Sequence, residues 1–106
     1  WMEDAGDRET TFGSVGLVVG ATYPDELAVV RKEAPRSWIL LPGLGVQGGS
    51  VSDVVCAFDE QGLGALASSS RGIIYAYEKD ESVDWTEAVA ARAQVDRDAL
   101  EAALAQ

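Results

Sequence analysis

The sequence predicts an α/β fold: three consecutive βα units around a parallel sheet. Three observations predict it. Short, continuous apolar runs alternate with stretches whose apolar residues recur with a helical period. Glycine- or serine-rich loops follow the strands at Pro42-Gly43-Leu44-Gly45-Val46-Gln47-Gly48-Gly49 and Ser68-Ser69-Ser70-Arg71-Gly72. Strand–helix–strand order in one sheet calls for right-handed crossovers and parallel strands.

Residues 1–12 are polar and acidic and read as the end of a preceding helix and a loop. A chain that opens on Trp1 is expected to continue upstream. Residues 13–106 carry the three units. Val15-Gly16-Leu17-Val18-Val19 is too short for a helix and rich in β-branched residues, so it is read as a buried strand. Pro24 suits the first position of a helix, Asp25 and Glu26 suit its first turn, and Arg31 and Lys32 suit its last. Leu27, Val30 and Ala34 form its apolar stripe, and Pro35 ends it.

Trp38-Ile39-Leu40-Leu41 is the next strand. Ser50 with Asp53 three residues on is a weak capping box, and Val51, Val54, Val55 and Phe58 continue as a helix stripe. Residues 63–67 form a third strand with small side chains. Residues 73–77 fit either a strand or a short helix. From Asp84 to Ala105 the chain is an alanine-rich helix, with Trp85, Val89, Ala93, Leu100 and Leu104 on one arc and Asp96 interrupting it.

Composition excludes several functions. The chain has 106 residues, 47% hydrophobic and 25% charged, as expected of one globular domain at most. A net charge of −10 argues against nucleic-acid binding, which needs a basic footprint. It does not exclude a small anion held by a local nest of N–H groups. With no histidine, Ser-His-Asp triads, Cys-His pairs and the usual zinc sites are excluded. No run approaches the ~18 apolar residues of a membrane span. The single Cys56 forms no internal disulfide and fits a reducing, cytoplasmic setting; its place near the helix stripe suggests packing.

The two loops point to a phosphate. Glycines 43, 45, 48 and 49 let main chain approach an anion without Cβ clashes, just ahead of a helix N-terminus. The spelling Gly43-x-Gly45-x-x-Gly48, with Asp59 or Glu60 downstream, also fits a dinucleotide fingerprint, but another βα unit precedes it. Arg71 is the only basic residue between Arg36 and Lys79. Just past a strand end, its guanidinium can grip two phosphate oxygens; the alternative is a surface salt bridge. Ser70 and its neighbours offer hydroxyls and amides. Gln47 could read a ring carbonyl or a phosphate oxygen, or simply face solvent. In (β/α)8 barrels the loops after strands seven and eight commonly hold phosphate.

Residues 16–22 (GLVVGAT), 41–49 (LPGLGVQGG) and 69–76 (SSRGIIYA) together resemble the closing third of the orotidine 5′-phosphate decarboxylase family in its longer bacterial form. The resemblance covers residues 13–77 well and the last helix loosely. It implies strands 6–8 of a TIM barrel, incomplete on its own. It implies that Gln47 and Gly48 lie in a phosphate-gripping loop, that Arg71, Gly72 and Ser70 bind the 5′-phosphate, and that Pro42 lines a pyrimidine pocket. It also implies conversion of orotidine 5′-monophosphate to uridine 5′-monophosphate and CO2, with no cofactor or metal, in a homodimer.

The family's D-x-K-x-x-D array is absent here; the only lysines are Lys32 and Lys79. No catalytic residue is therefore expected in this chain. Three βα units cannot close a barrel. The chain is expected to be part of a longer enzyme, or to pair with the remainder of the barrel as another chain, and to aggregate alone. A non-catalytic module that binds a phosphorylated ligand is the alternative.

Overall fold

The computed structural model describes residues 12–43, 50–79 and 83–105. The order is β1 (Leu17–Val18), α1 (Pro24–Glu33), β2 (Ile39–Leu41), α2 (Val51–Val54), β3 (Ala65–Ala67), α3 (Arg71–Ile74) and α4 (Trp85–Leu104). A 3-10 turn extends α2 over Val55–Ala57, and another spans Ala76–Lys79 after α3. The strands form one parallel sheet in the order β1-β2-β3. Register pairs Val18 with Leu40 and Leu40 with Leu66. Of residues 73–77, ambiguous in sequence, Ile73 and Ile74 end α3 and Ala76 and Tyr77 begin the second 3-10 turn, with Tyr75 as a turn residue between them; none is in the sheet.

α1 forms as its composition directs. Pro24 stands in the first turn with Asp25 and Glu26, and Arg31 and Lys32 occupy the last. Leu27 is fully buried, Ala34 is buried and Val30 packs against the same core. α2 is shorter than its apolar stripe predicts. Val51, Val54 and Val55 crowd a helix through their branched Cβ atoms. The chain tightens to 3-10, Phe58 N–H donates to Val55 O at 3.1 Å, and Phe58 itself is extended.

The core lies between the sheet and its helices. Ile39 and Leu41 of β2 and Ala65 of β3 pack with Leu27 of α1, Val54 and Ala57, and Leu100 of α4 rests on this cluster. Cys56 packs at its margin, its Sγ donating to Pro24 O at 3.4 Å, and burial pushes its thiol pKa up. The opposite face of the sheet is uncovered: Val18, Leu40 and Leu66 are 71%, 39% and 57% exposed. The strands are therefore not buried on both sides, as continuous apolar runs predict, because every described helix contributing to this core packs on one face.

The arc predicted for α4 also shifts. Trp85 is exposed, whereas Ala88 is buried. A small residue lets α4 come close to α2 and α3, which an indole would prevent. Asp96, which interrupts the arc, is half-buried and ion-paired with Arg92 at 2.8 Å.

Candidate functional site

Parallel strands deliver all their C-terminal ends to one edge of the sheet. Gly20-Ala21-Thr22 follow β1, Pro42 and Gly43 follow β2, and Ser68 to Gly72 follow β3. The last two are tied together, since Ser68 N–H donates to Leu41 O at 2.9 Å. Pro42 is half-buried, and Gly43 has φ 75°, a left-handed turn that glycine adopts without strain.

Ser70 leads into α3 and its carbonyl accepts Ile74 N–H at 2.8 Å; Arg71 O accepts Tyr75 N–H at 3.2 Å. Arg71, the first residue of α3, is exposed. Among the described residues no carboxylate pairs with it, so the salt-bridge alternative finds no partner there. Gly72 is closely approached: a Cβ there would stand 2.9 Å from Ser69 Oγ. Four of the predicted site residues, Pro42, Ser70, Arg71 and Gly72, thus share one edge. Gln47 and Gly48 lie outside the described residues.

The N-terminus of α2 is less open to an anion than the sequence suggests. Ser50 N–H donates to Asp53 Oδ2 at 3.1 Å. That bond, with the Ser50 side chain, holds the Asp53 carboxyl below its usual range. One of the donors that could face a phosphate is already used, and a carboxylate stands beside it. Arg71 is therefore the principal positive charge at this edge among the described residues.

Lys32 lies in the last turn of α1, which runs back to the opposite edge, and Lys79 lies beyond α3. Among the described residues no cluster of His, Cys, Asp or Glu is placed to hold a metal ion, and no helix is long and apolar enough to cross a membrane.

A different arginine is more deeply engaged than any sequence pattern signals. Arg31 donates from Nε to Ala57 O at 2.6 Å and from Nη2 to Gly64 O at 2.7 Å, joining α1 to the turn after α2 and to the entry of β3. Its partners are 26 and 33 residues away, so local pattern could identify only its place at a helix end.

Comparison with known proteins gives a consistent result. The chain is 46% identical over 98 residues to orotidine 5′-phosphate decarboxylase of Bordetella avium, covering 91% of this chain and 35% of that protein. The enzyme of the same name from Rhodopirellula baltica is 46% identical over 86 residues, covering 76% of this chain and 28% of the relative. In structure, a Toxoplasma gondii protein assigned as orotidine-monophosphate-decarboxylase superposes with TM-score 0.72 at 38% identity, over 87% of this chain and 28% of that one. Leishmania donovani UMP synthase superposes with TM-score 0.65 at 38% identity, over 85% and 18%. No protein-family profile matches the chain. The chain spans about a third or less of the length of these relatives.

Proposed function

From a chain that is a relative of the orotidine 5′-phosphate decarboxylases over most of its length, we propose that this is the C-terminal, phosphate-gripping part of such an enzyme. It supplies strands 6–8 of a TIM barrel. The intact enzyme converts orotidine 5′-monophosphate to uridine 5′-monophosphate and CO2 in pyrimidine biosynthesis, in the cytoplasm and as a homodimer. Arg71 holds the 5′-phosphate as a bidentate donor, with main chain around Ser70 and Gly72 beside it. Gln47 and Gly48 contribute to phosphate binding, and Pro42 borders the pyrimidine. The reacting carbon lies against residues supplied from outside this chain.

The grip still contributes to rate. Binding energy gained at a non-reacting phosphate can be used to orient and desolvate the carboxylate that leaves. The observation that carries this reading is the hydrogen bond from Ser68 to Leu41, which fixes the Arg71 loop beside the Pro42 loop at the strand ends.

Replacing Arg71 with Ala in the assembled enzyme tests it. Loss of a charge-assisted bidentate contact should weaken uridine 5′-monophosphate binding roughly 10- to 100-fold by calorimetry. Gln47→Ala should cost less. Unchanged affinity in Arg71→Ala would remove Arg71 from the site.

The alternative, a module that binds a phosphorylated ligand without catalysis, is favoured by the position of Lys32 at the far edge from the loops. Turnover separates the two readings: the assembled enzyme should release CO2 from orotidine 5′-monophosphate, and a module would bind nucleotide without doing so.

A further inference from the structure

Gly72 is a glycine without a backbone reason to be one. The described glycines with left-handed φ are Gly43, Gly62 and Gly64. Gly72 is not among them and stands second in α3, where alanine is the better helix former. A Cβ there would meet Ser69 Oγ at 2.9 Å, and among the described residues no other side chain comes within 4 Å of it. Ser69 is half-buried, whereas Ser70 is exposed. The segment is pinned on both sides of Ser69. Ser68 N–H donates to Leu41 O at 2.9 Å, and Ser70 O accepts Ile74 N–H at 2.8 Å. Among the described residues no hydrogen-bond partner is placed on Ser69 Oγ. Its hydroxyl proton is therefore free to be given to a ligand.

We propose that Ser69 Oγ donates to the phosphate held by Arg71, and that Gly72 lacks a side chain so that this hydroxyl keeps its place. The proposal rests on the phosphate-grip reading of Arg71 and adds a second side-chain donor to it. A phosphate monoester has three terminal oxygens. A bidentate guanidinium occupies two of them, and a hydroxyl two residues away in the chain suits the third through a charge-assisted O–H···O bond. Ser70 suits it less. Its side chain caps no main-chain group and the residue is exposed, so the contact would have to order a free hydroxyl against water. The steric relation to Gly72 is specific. Alanine at position 72 displaces the Ser69 hydroxyl by rotation about one bond. The fold tolerates that rotation, but the donor moves away from the ligand. The competing explanation is local: Ser69 Oγ would serve as a cap, accepting a main-chain N–H at the start of α3 and holding the loop together without touching phosphate.

The test is a double-mutant cycle in the assembled enzyme: Ser69→Ala, Gly72→Ala and the two together. Calorimetry reads the binding of uridine 5′-monophosphate and of uridine, which lacks the phosphate, and thermal unfolding is followed in parallel. Each single variant should weaken uridine 5′-monophosphate binding roughly tenfold, leave uridine binding unchanged and not lower the melting temperature. The double variant should be no weaker than either single one, because both remove the same contact. Unchanged nucleotide affinity in Ser69→Ala overturns the proposal. So do losses that add in the double variant, which would mean that Gly72 acts on its own by letting main chain reach the phosphate. Equal losses for nucleotide and uridine together with a lower melting temperature overturn it in favour of the cap. Arg71→Ala in the same series separates this proposal from the reading beneath it. If Arg71→Ala loses nucleotide affinity and Ser69→Ala does not, the grip stands and the Ser69 contact falls. If Arg71→Ala binds like the parent, the grip falls and the Ser69 contact with it.

Discussion

Arg31 reaches main-chain carbonyls in three segments: Ala57, Gly64, and, from Nη1, Ala34 at 3.3 Å. Burial disfavours its charge, with Asp59 partly offsetting that, so the hydrogen bonds must hold the guanidinium in place. Arg31→Ala takes from Ala57 O its guanidinium donor and from Gly64 O the second of two donors, Ile39 N–H remaining at 2.9 Å, and should destabilise the chain by about 1–3 kcal/mol, read as a lower denaturant midpoint. Arg31→Lys should recover little, because a single ammonium cannot span the Ala57 and Gly64 carbonyls at once. Gly64 is bound to the same arrangement: its φ is 95°, and a Cβ would lie 2.9 Å from the Phe12 ring. None of this is visible in local sequence. Arg71 is the reverse case. Its isolation from other basic residues and its place after a strand mark it in the sequence, and the structure adds only that it is exposed and next to the β2 loop.

At the scale of elements, end signals were more legible than lengths. The start of α1 and the capping pair of α2 follow directly from Pro24, Ser50 and Asp53. Asp53 gives a pH-dependent prediction. Its carboxyl titrates lower in the folded chain than in the unfolded one, so its contribution to stability is fully present above the ordinary carboxylate value of about 3.9. That contribution is lost as pH falls through the folded value. The difference in melting temperature between the parent and Asp53→Ala should therefore be present at neutral pH and shrink below about pH 4.

The packed face of α4 gives another prediction. Trp85→Ala should change stability by no more than about 0.5 kcal/mol, whereas Ala88→Leu should cost about 1–3 kcal/mol by overpacking. Thermal unfolding of the two variants checks it, and the reverse order would mean that the helix packs through Trp85 after all. A helical wheel gives the width of a stripe but not its centre. Whether α4 is centred on Ala88 or Trp85 depends on how closely α2 and α3 approach it.

For the whole molecule, the consequence of the one-sided sheet is solubility. The 106-residue chain on its own should scatter light and aggregate at micromolar concentration, and Leu66→Asp should reduce this by placing a charge on the open face. Scattering that is absent in the parent would mean that the face is already covered.

The sequence by itself determined the βα alternation, the helix boundaries set by Pro24 and Ser50, and the two glycine- or serine-rich stretches that bear the residues proposed to hold a phosphate. These are written in local chemistry: period, caps, and glycine or serine after an apolar run. Only the tertiary structure decided that Pro42 and Arg71 come to the same edge, that Arg31 spans 33 residues to reach Gly64, and that the row Val18–Leu40–Leu66 is open. An apolar strand reads the same in sequence whether one face or both are covered. What covers a face comes from elsewhere in the fold and leaves no mark on the strand's own period.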